Sequence, residues 1–127
     1  DVIFQVGVND SCYIGSEENR LTGTQIFEKN VRKLIEKAKK IHCKITFLGL
    51  MLGDDSLLKP FPGSDRGKSY DRAIVEKYDN ILEKVSDGGS CKYIYLFDKL
   101  SPSDFLDGLH PNQSGHQKMF EEIKKCF

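Results

Sequence analysis

The chain has 127 residues, with 19 Lys and Arg against 19 Asp and Glu, four cysteines and no tryptophan. With 39% hydrophobic and 30% charged residues it reads as one soluble globular domain, not a disordered tail, collagen, coiled coil or disulfide miniprotein. Zero formal net charge argues against a broad electrostatic grip on nucleic acid or an anionic membrane, and no apolar run approaches the roughly 18 residues of a membrane span.

The sequence opens Asp1-Val2-Ile3-Phe4-Gln5-Val6-Gly7-Val8, a run that predicts a strand buried on both faces from Val2 to Val8. It lacks the basic stretch of a signal peptide. A buried strand that begins at the first residue predicts that a segment N-terminal to it is missing. Ile26, Phe27, Val31, Leu34, Ile35, Ala38 and Ile41 recur at the spacing of one helix face, with Lys and Glu filling the other side. A second apolar run, Ile45 to Leu52, predicts another buried strand. The stretch from Leu52 to Ser69 is irregular and carries Gly53, Pro60, Pro62, Gly63 and Gly67. Its length suits a substrate wall or lid.

Tyr70, Ala73, Ile74, Tyr78, Ile81, Leu82 and Val85 predict a second helix, stopped by Gly88-Gly89. Tyr93 to Phe97 predicts a third strand. A last helix from about Gln113 carries Met119, Phe120, Ile123 and Phe127 on its apolar stripe. Strand and helix alternate throughout. Right-handed crossovers turn that order into a parallel sheet between helix layers, a three-layer α/β/α fold of flavodoxin-like type. Ligands in such sheets bind beyond the carboxyl ends of the strands. That directs attention to the loops after Val8 and Leu50 and to Asp98 through Pro111.

Cys12, Cys43, Cys91 and Cys126 form no C-x-x-C pair, which excludes a zinc ribbon or thioredoxin-like site. They read as free thiols. Cys43 and Cys91 each precede a predicted strand and could be neighbours. A reducing, cytoplasmic setting is the default expectation; secretion stays open because of the missing N-terminal segment.

Two loop motifs carry chemistry. Gly7-Val8-Asn9-Asp10 follows the first strand, and Asp107-Gly108-Leu109-His110-Pro111-Asn112 follows the last. Alone, Asn-Asp at a strand end is commonly a turn or cap, and an Asp three residues before a His arises often by chance. Together, at the ligand end, they are complementary. His110 suits proton transfer near neutrality, and Asp107 is close enough in sequence to orient its ring. Asn9 offers an amide N–H to a developing oxyanion. No obvious nucleophile accompanies them.

These blocks resemble those of the SGNH (GDSL-type) hydrolases, whose third block is a strand ending in Gly-x-Asn-Asp and whose fifth is Asp-x-x-His-Pro. Asn112-Gln113-Ser114-Gly115-His116 looks like that family's lead-in to the final helix, so the resemblance spans essentially the whole chain. It implies His110 as general base and Asp107 as its orienting partner. It also implies Asn9 as an oxyanion-hole donor, Gly7 as the residue permitting close approach there, and Asp10 as loop support. The family's Gly-Asp-Ser block, which carries the nucleophile, and its second block, which gives an oxyanion glycine, are absent; both belong N-terminal to Asp1.

Ser56, in Gly53-Asp54-Asp55-Ser56, follows the wrong strand for that role, and Ser11 reads as a cap. No Gly-x-Ser-x-Gly elbow occurs. His116 reads as a packing residue at a helix boundary and His42 as a helix-end residue suited to the dipole. Lys29, Lys33, Lys37 and Lys40 form a solvated face. Asp104 closes a turn, and Gly115 permits close helix packing.

The expectation is therefore the C-terminal part of a serine esterase or acylhydrolase, inactive by itself, with its serine upstream. Neither metal nor organic cofactor is implied. The expected partner is a small ester, such as an acylated sugar or lipid, and not nucleic acid. Phe61 or Leu57 could line an acyl pocket. The uncovered edge beside Val2–Val8 could pair with another chain. The alternative is a non-catalytic module of the same fold that binds a glycan or a protein; a nucleotide-binding domain is disfavoured because no Gly-rich phosphate loop follows a strand.

Overall fold

A computed structural model describes residues 1–89 and 91–127. In chain order the elements are β1 (Val2–Phe4), α1 (Val8–Ser11), β2 (Tyr13–Ile14), α2 (Thr24–Lys40), β3 (Ile45–Leu48), β4 (Lys68–Ser69), α3 (Arg72–Ser86), β5 (Lys92–Ile94) and α4 (Gln113–Lys124). Strands β1, β3 and β5 form a parallel sheet in the order β1-β3-β5. Phe47 in the central strand faces Phe4 on one side and Tyr93 on the other.

Strand alternation divides the core between the two faces of this sheet. Ile45 and Phe47 join α2 and α3 through Phe27, Val31, Ile74, Tyr78 and Leu82. Leu48 and Ile94 join the opposite cluster, with Leu96, Phe105 and Met119 of α4. The result is the expected helix–sheet–helix sandwich. Burying a side chain such as Phe27 or Phe47 contributes about 1.5–3 kcal/mol, so the two clusters are the main source of cohesion.

The helix ends follow local chemistry. Asp71 caps α3 by accepting the Ile74 N–H, and Asn112 caps α4 by accepting the Gly115 N–H. Lys37, Lys39 and Lys40 in the last turn of α2 suit its dipole. The chain leaves α2 through His42, whose φ of 53° is left-handed.

Several expectations need correction. The run from Val2 to Val8 is a strand only as far as Phe4, and Ile3 is 47% exposed. The cause is position. β1 is an edge strand; Val2, Phe4, Val6 and Val8 pack toward α2 and α3, while the α4-side cluster contains no β1 residue. Ile26 and Ile41 are exposed because the buried stripe of α2 is Phe27, Val31, Ile35 and Ala38. Phe120 and Phe127 are exposed too, each beneath a lysine ammonium (Lys124 and Lys92). The short helix α1 and the antiparallel pair β2–β4 were not expected; Tyr13 pairs with Ser69 and Ile14 with Lys68.

Candidate active site

The loop after the α4-side cluster is built before it carries chemistry. Pro102–Asp104 forms a single 3-10 turn in which Asp104 and Ser101 cap one another. The Asp104 carboxylate is buried and accepts from the Ser101 N–H (2.8 Å), the Ser101 and Ser114 hydroxyls (2.8 and 2.9 Å) and the Lys118 ammonium (2.6 Å). The Lys118 ammonium, then the Ser101 and Ser114 donors, hold its carboxyl far below the usual range. Its backbone oxygen accepts the Asn112 N–H, and a Cβ on Gly115 would lie 2.4 Å from that oxygen. Asp104 thus clamps the two ends of the 104–115 loop onto α4.

Within this clamp the chain doubles back. Phe105 bridges Pro111, and the Leu106 N–H donates to the His110 carbonyl at 2.8 Å. Gly108 sits at the tip with φ 83°, and its carbonyl accepts the Gly53 N–H at 2.8 Å, docking the tip on the loop after β3. A side chain there would meet the Asp54 carbonyl at 2.8 Å.

This tight turn brings Asp107 and His110 together. Asp107 Oδ1 accepts the backbone N–H groups of Leu109 (3.0 Å) and His110 (2.8 Å), while Oδ2 lies 2.8 Å from His110 Nδ1. Partial burial pushes the Asp107 carboxyl up, but the His110 ring and these two N–H groups outweigh it and hold the group below the usual carboxylate range. An ionised carboxylate only accepts, so Nδ1 carries the proton. In the neutral ring this leaves Nε2 with its lone pair.

Gly7 and Asn9 come from the end of β1. Gly7 has φ 131°, and a Cβ there would lie 3.0 Å from both Leu50 Cδ1 and Phe27 Cζ. Asn9 sits in α1, and Asp10 follows it. The Asp10 backbone carbonyl, accepting the Thr22 N–H at 3.2 Å, ties α1 to the start of α2. Gly7, Asn9, Asp10 and His110 line one cavity of ≈ 460 Å³, whose other walls include Val6, Val8, Leu50, Met51 and Leu109. It lies beyond the carboxyl ends of β1 and β3, where a parallel sheet binds ligands.

The other expected residues separate. Ser56 donates to Asp54 and Ser11 to the Val8 carbonyl. Among the described residues no serine hydroxyl is hydrogen-bonded to His110. Leu57 is 54% exposed, whereas the Phe61 ring lies 5.9 Å from that of His110. His116 is exposed and not packed as expected. The four cysteines are free, and among the described residues no cluster of three or more His, Cys, Asp or Glu could hold a metal ion. No helix among the described residues is long and apolar enough to cross a membrane.

Tyr70 was legible only as an apolar helix position. It lies ahead of α3 instead, and its hydroxyl reaches Asn9 Oδ1 at 3.0 Å. Nothing local signals a contact across 61 residues.

Residues 2–118 match the GDSL-like lipase/acylhydrolase family. In fold the chain is similar to a GDSL-like lipase from Bacteroides thetaiotaomicron VPI-5482, with a TM-score of 0.69 and 19% identity over 98% of this chain and 60% of that one. It is also similar to LAE5, an alpha/beta hydrolase enzyme from the metagenome of Lake Arreo, Spain, with a TM-score of 0.68 and 16% identity over 97% of this chain and 57% of that one. The chain therefore spans about three-fifths of the length of these structures and, at these identities, the likeness is one of fold. No curated protein matches it.

Proposed function

The chain belongs to the GDSL-like lipase/acylhydrolase family, and from that premise we propose that it supplies the base, its orienting carboxylate and one oxyanion donor of a serine esterase. The observation that carries the reading is the 2.8 Å contact of His110 Nδ1 with Asp107 Oδ2, in a loop whose histidine shares a cavity with Asn9. The nucleophilic serine and a second oxyanion glycine come from a segment N-terminal to this chain. Residues 1–127 are then most of one domain. Two features support this: among the described residues no serine bonds to His110, and β1 pairs with β3 alone, leaving an edge for a further strand.

In the reaction the serine Oγ attacks the ester carbonyl carbon, and its proton passes to His110 Nε2. Asp107 holds the ring and stabilises the imidazolium. The carbonyl electrons move onto oxygen, and Asn9 Nδ2 donates to that oxyanion. Gly7 keeps the wall beside Asn9 free of a side chain. Collapse breaks the bond to the alcohol, which leaves with the proton from Nε2. Water, deprotonated by the same nitrogen, then releases the acid and restores the serine. Val6, Val8, Leu50 and Met51 suit an acetyl or short acyl group, the ester of a sugar or lipid among the candidates.

The test uses the full-length protein with p-nitrophenyl acetate and a fluorophosphonate probe. Serine-dependent turnover and labelling, both lost in His110→Ala, are expected. Neither turnover nor labelling, with a folded protein, favours the binding module instead.

A further inference from the structure

Resting on that esterase reading, we propose that Tyr70 is a positioning residue whose buried hydroxyl fixes the Asn9 amide so that Nδ2 is the group turned toward the cavity. Asn9 is exposed at the cavity wall and sits in a helix of only four residues. An exposed Asn side chain in so short an element has little to hold its amide in one sense. Its one side-chain partner among the described residues is Tyr70, which donates to Oδ1 at 3.0 Å. That bond uses the carbonyl end of the amide and leaves Nδ2, a donor only, without a partner among the described residues.

Tyr70 is itself held firmly enough to act as a reference point. It is 2% exposed, and its N–H donates to the Leu58 carbonyl at 3.0 Å. It directly follows Ser69, which pairs with Tyr13 in the β2–β4 ladder. Its ring meets that of Phe61 edge-on, with centroids 6.2 Å apart, and Phe61 in turn lies against His110. A buried hydroxyl needs a partner, and Asn9 Oδ1 meets that need. Burial, then the neighbouring Cys12 thiol, pushes the Tyr70 phenol up to about 12, so it remains a donor at any ordinary working pH. The Cys12 thiol adds a second tie by donating to the Asn9 backbone carbonyl at 3.1 Å.

The experiment is a double-mutant cycle in the full-length protein with p-nitrophenyl acetate. Tyr70→Phe keeps the ring and removes the bond. It is expected to lower kcat about three- to tenfold while KM stays within about twofold. Asn9→Ala is expected to lower kcat about 10²–10³-fold, and adding Tyr70→Phe to it changes nothing further. An equal loss from Tyr70→Phe in both backgrounds marks a merely structural role and overturns the inference. So does an unchanged kcat in Tyr70→Phe alone. The Asn9 side-chain amide in a ¹H–¹⁵N spectrum gives a readout free of turnover: its two proton signals move in Tyr70→Phe, and an unmoved pair overturns the inference. If Asn9→Ala and His110→Ala both leave turnover intact, the esterase reading falls first and takes this role of Tyr70 with it.

Discussion

The Asp79 carboxylate on α3 accepts the backbone N–H of Leu50 at 2.7 Å, with both residues buried. The contact ends the β3 ladder. Gly49 still donates to the Ile94 carbonyl, but one residue later the donor turns to the helix layer, and the chain leaves toward the cavity that Leu50 and Met51 line. A side chain, not a strand, satisfies this buried donor.

Asp79→Ala orphans the Leu50 N–H and should lower stability by about 1–3 kcal/mol. Asp79→Asn retains an acceptor and should lose less at pH 7. Burial pushes the Asp79 carboxyl up despite the Leu50 N–H. A folded-state value above the unfolded one gives stability that is present at low pH and lost as pH rises through the folded value. Relative to wild type, the Asn variant should therefore improve between about pH 4 and pH 7. Urea unfolding at the two pH values measures this; an Asn variant no more stable than Ala would contradict it.

Asp71, Asp55 and Asp107 have the opposite sign. Lys59 bridges Asp71 (2.6 Å) and Asp55 (2.9 Å), and Asp71 also caps α3. For Asp55 the Lys59 contact is the leading cause of a lowered carboxyl; for Asp71 burial raises it, but Lys59 and the capped N–H groups prevail. Depressed folded values give stability present above the unfolded range and lost as pH falls below about 4. Asp71→Ala should cost about 0.5–2 kcal/mol through the cap. Lys59→Met, whose bridges are partly solvated, should cost at most about 1 kcal/mol. The reverse order in denaturant melts at pH 7 would refute the cap as the dominant contribution.

Gly7 holds a backbone conformation that a residue with a side chain adopts only under strain. Its φ of 131° is unfavourable for any side chain, and its Cβ position is already crowded by Leu50 and Phe27. Gly7→Ala should cost about 1–3 kcal/mol and displace α1 with Asn9. An Ala variant with wild-type urea midpoint and an unmoved Asn9 amide resonance would show that the backbone there relaxes freely.

The alternation of apolar runs and helical stripes was enough to give the parallel sheet, its two helix layers and the end at which the cavity opens. Asn9 and His110 were legible as a pair because both follow strands, and strand ends share one side of such a sheet. What stayed hidden depends on partners distant in sequence. The edge position of β1, and so the exposure of Ile3, follows from what lies beside the strand and not from its own composition. Tyr70 scanned as one more apolar helix residue, because a phenol's body fits a stripe whatever its hydroxyl touches. Asp104 was legible as a turn closer; its ties to Ser114 and Lys118 needed the fold of α4.

Asp107 serves two ends that substitution can separate. Oδ1 holds the Leu109 and His110 N–H groups and so shapes the turn, while Oδ2 faces His110 Nδ1. Asp107→Asn can keep the first with its carbonyl oxygen, but its amide then presents N–H to Nδ1. The ring must accept there and carry its proton on Nε2, which removes the base. In the full-length protein, kcat on p-nitrophenyl acetate should fall about 10²–10⁴-fold with little change in thermal midpoint. Asp107→Ala should lose activity comparably and also melt earlier, since it frees both N–H groups. An Asn variant that retains wild-type kcat would mean that proton transfer at His110 does not depend on its tautomer, and the esterase mechanism would have to be rebuilt around another base.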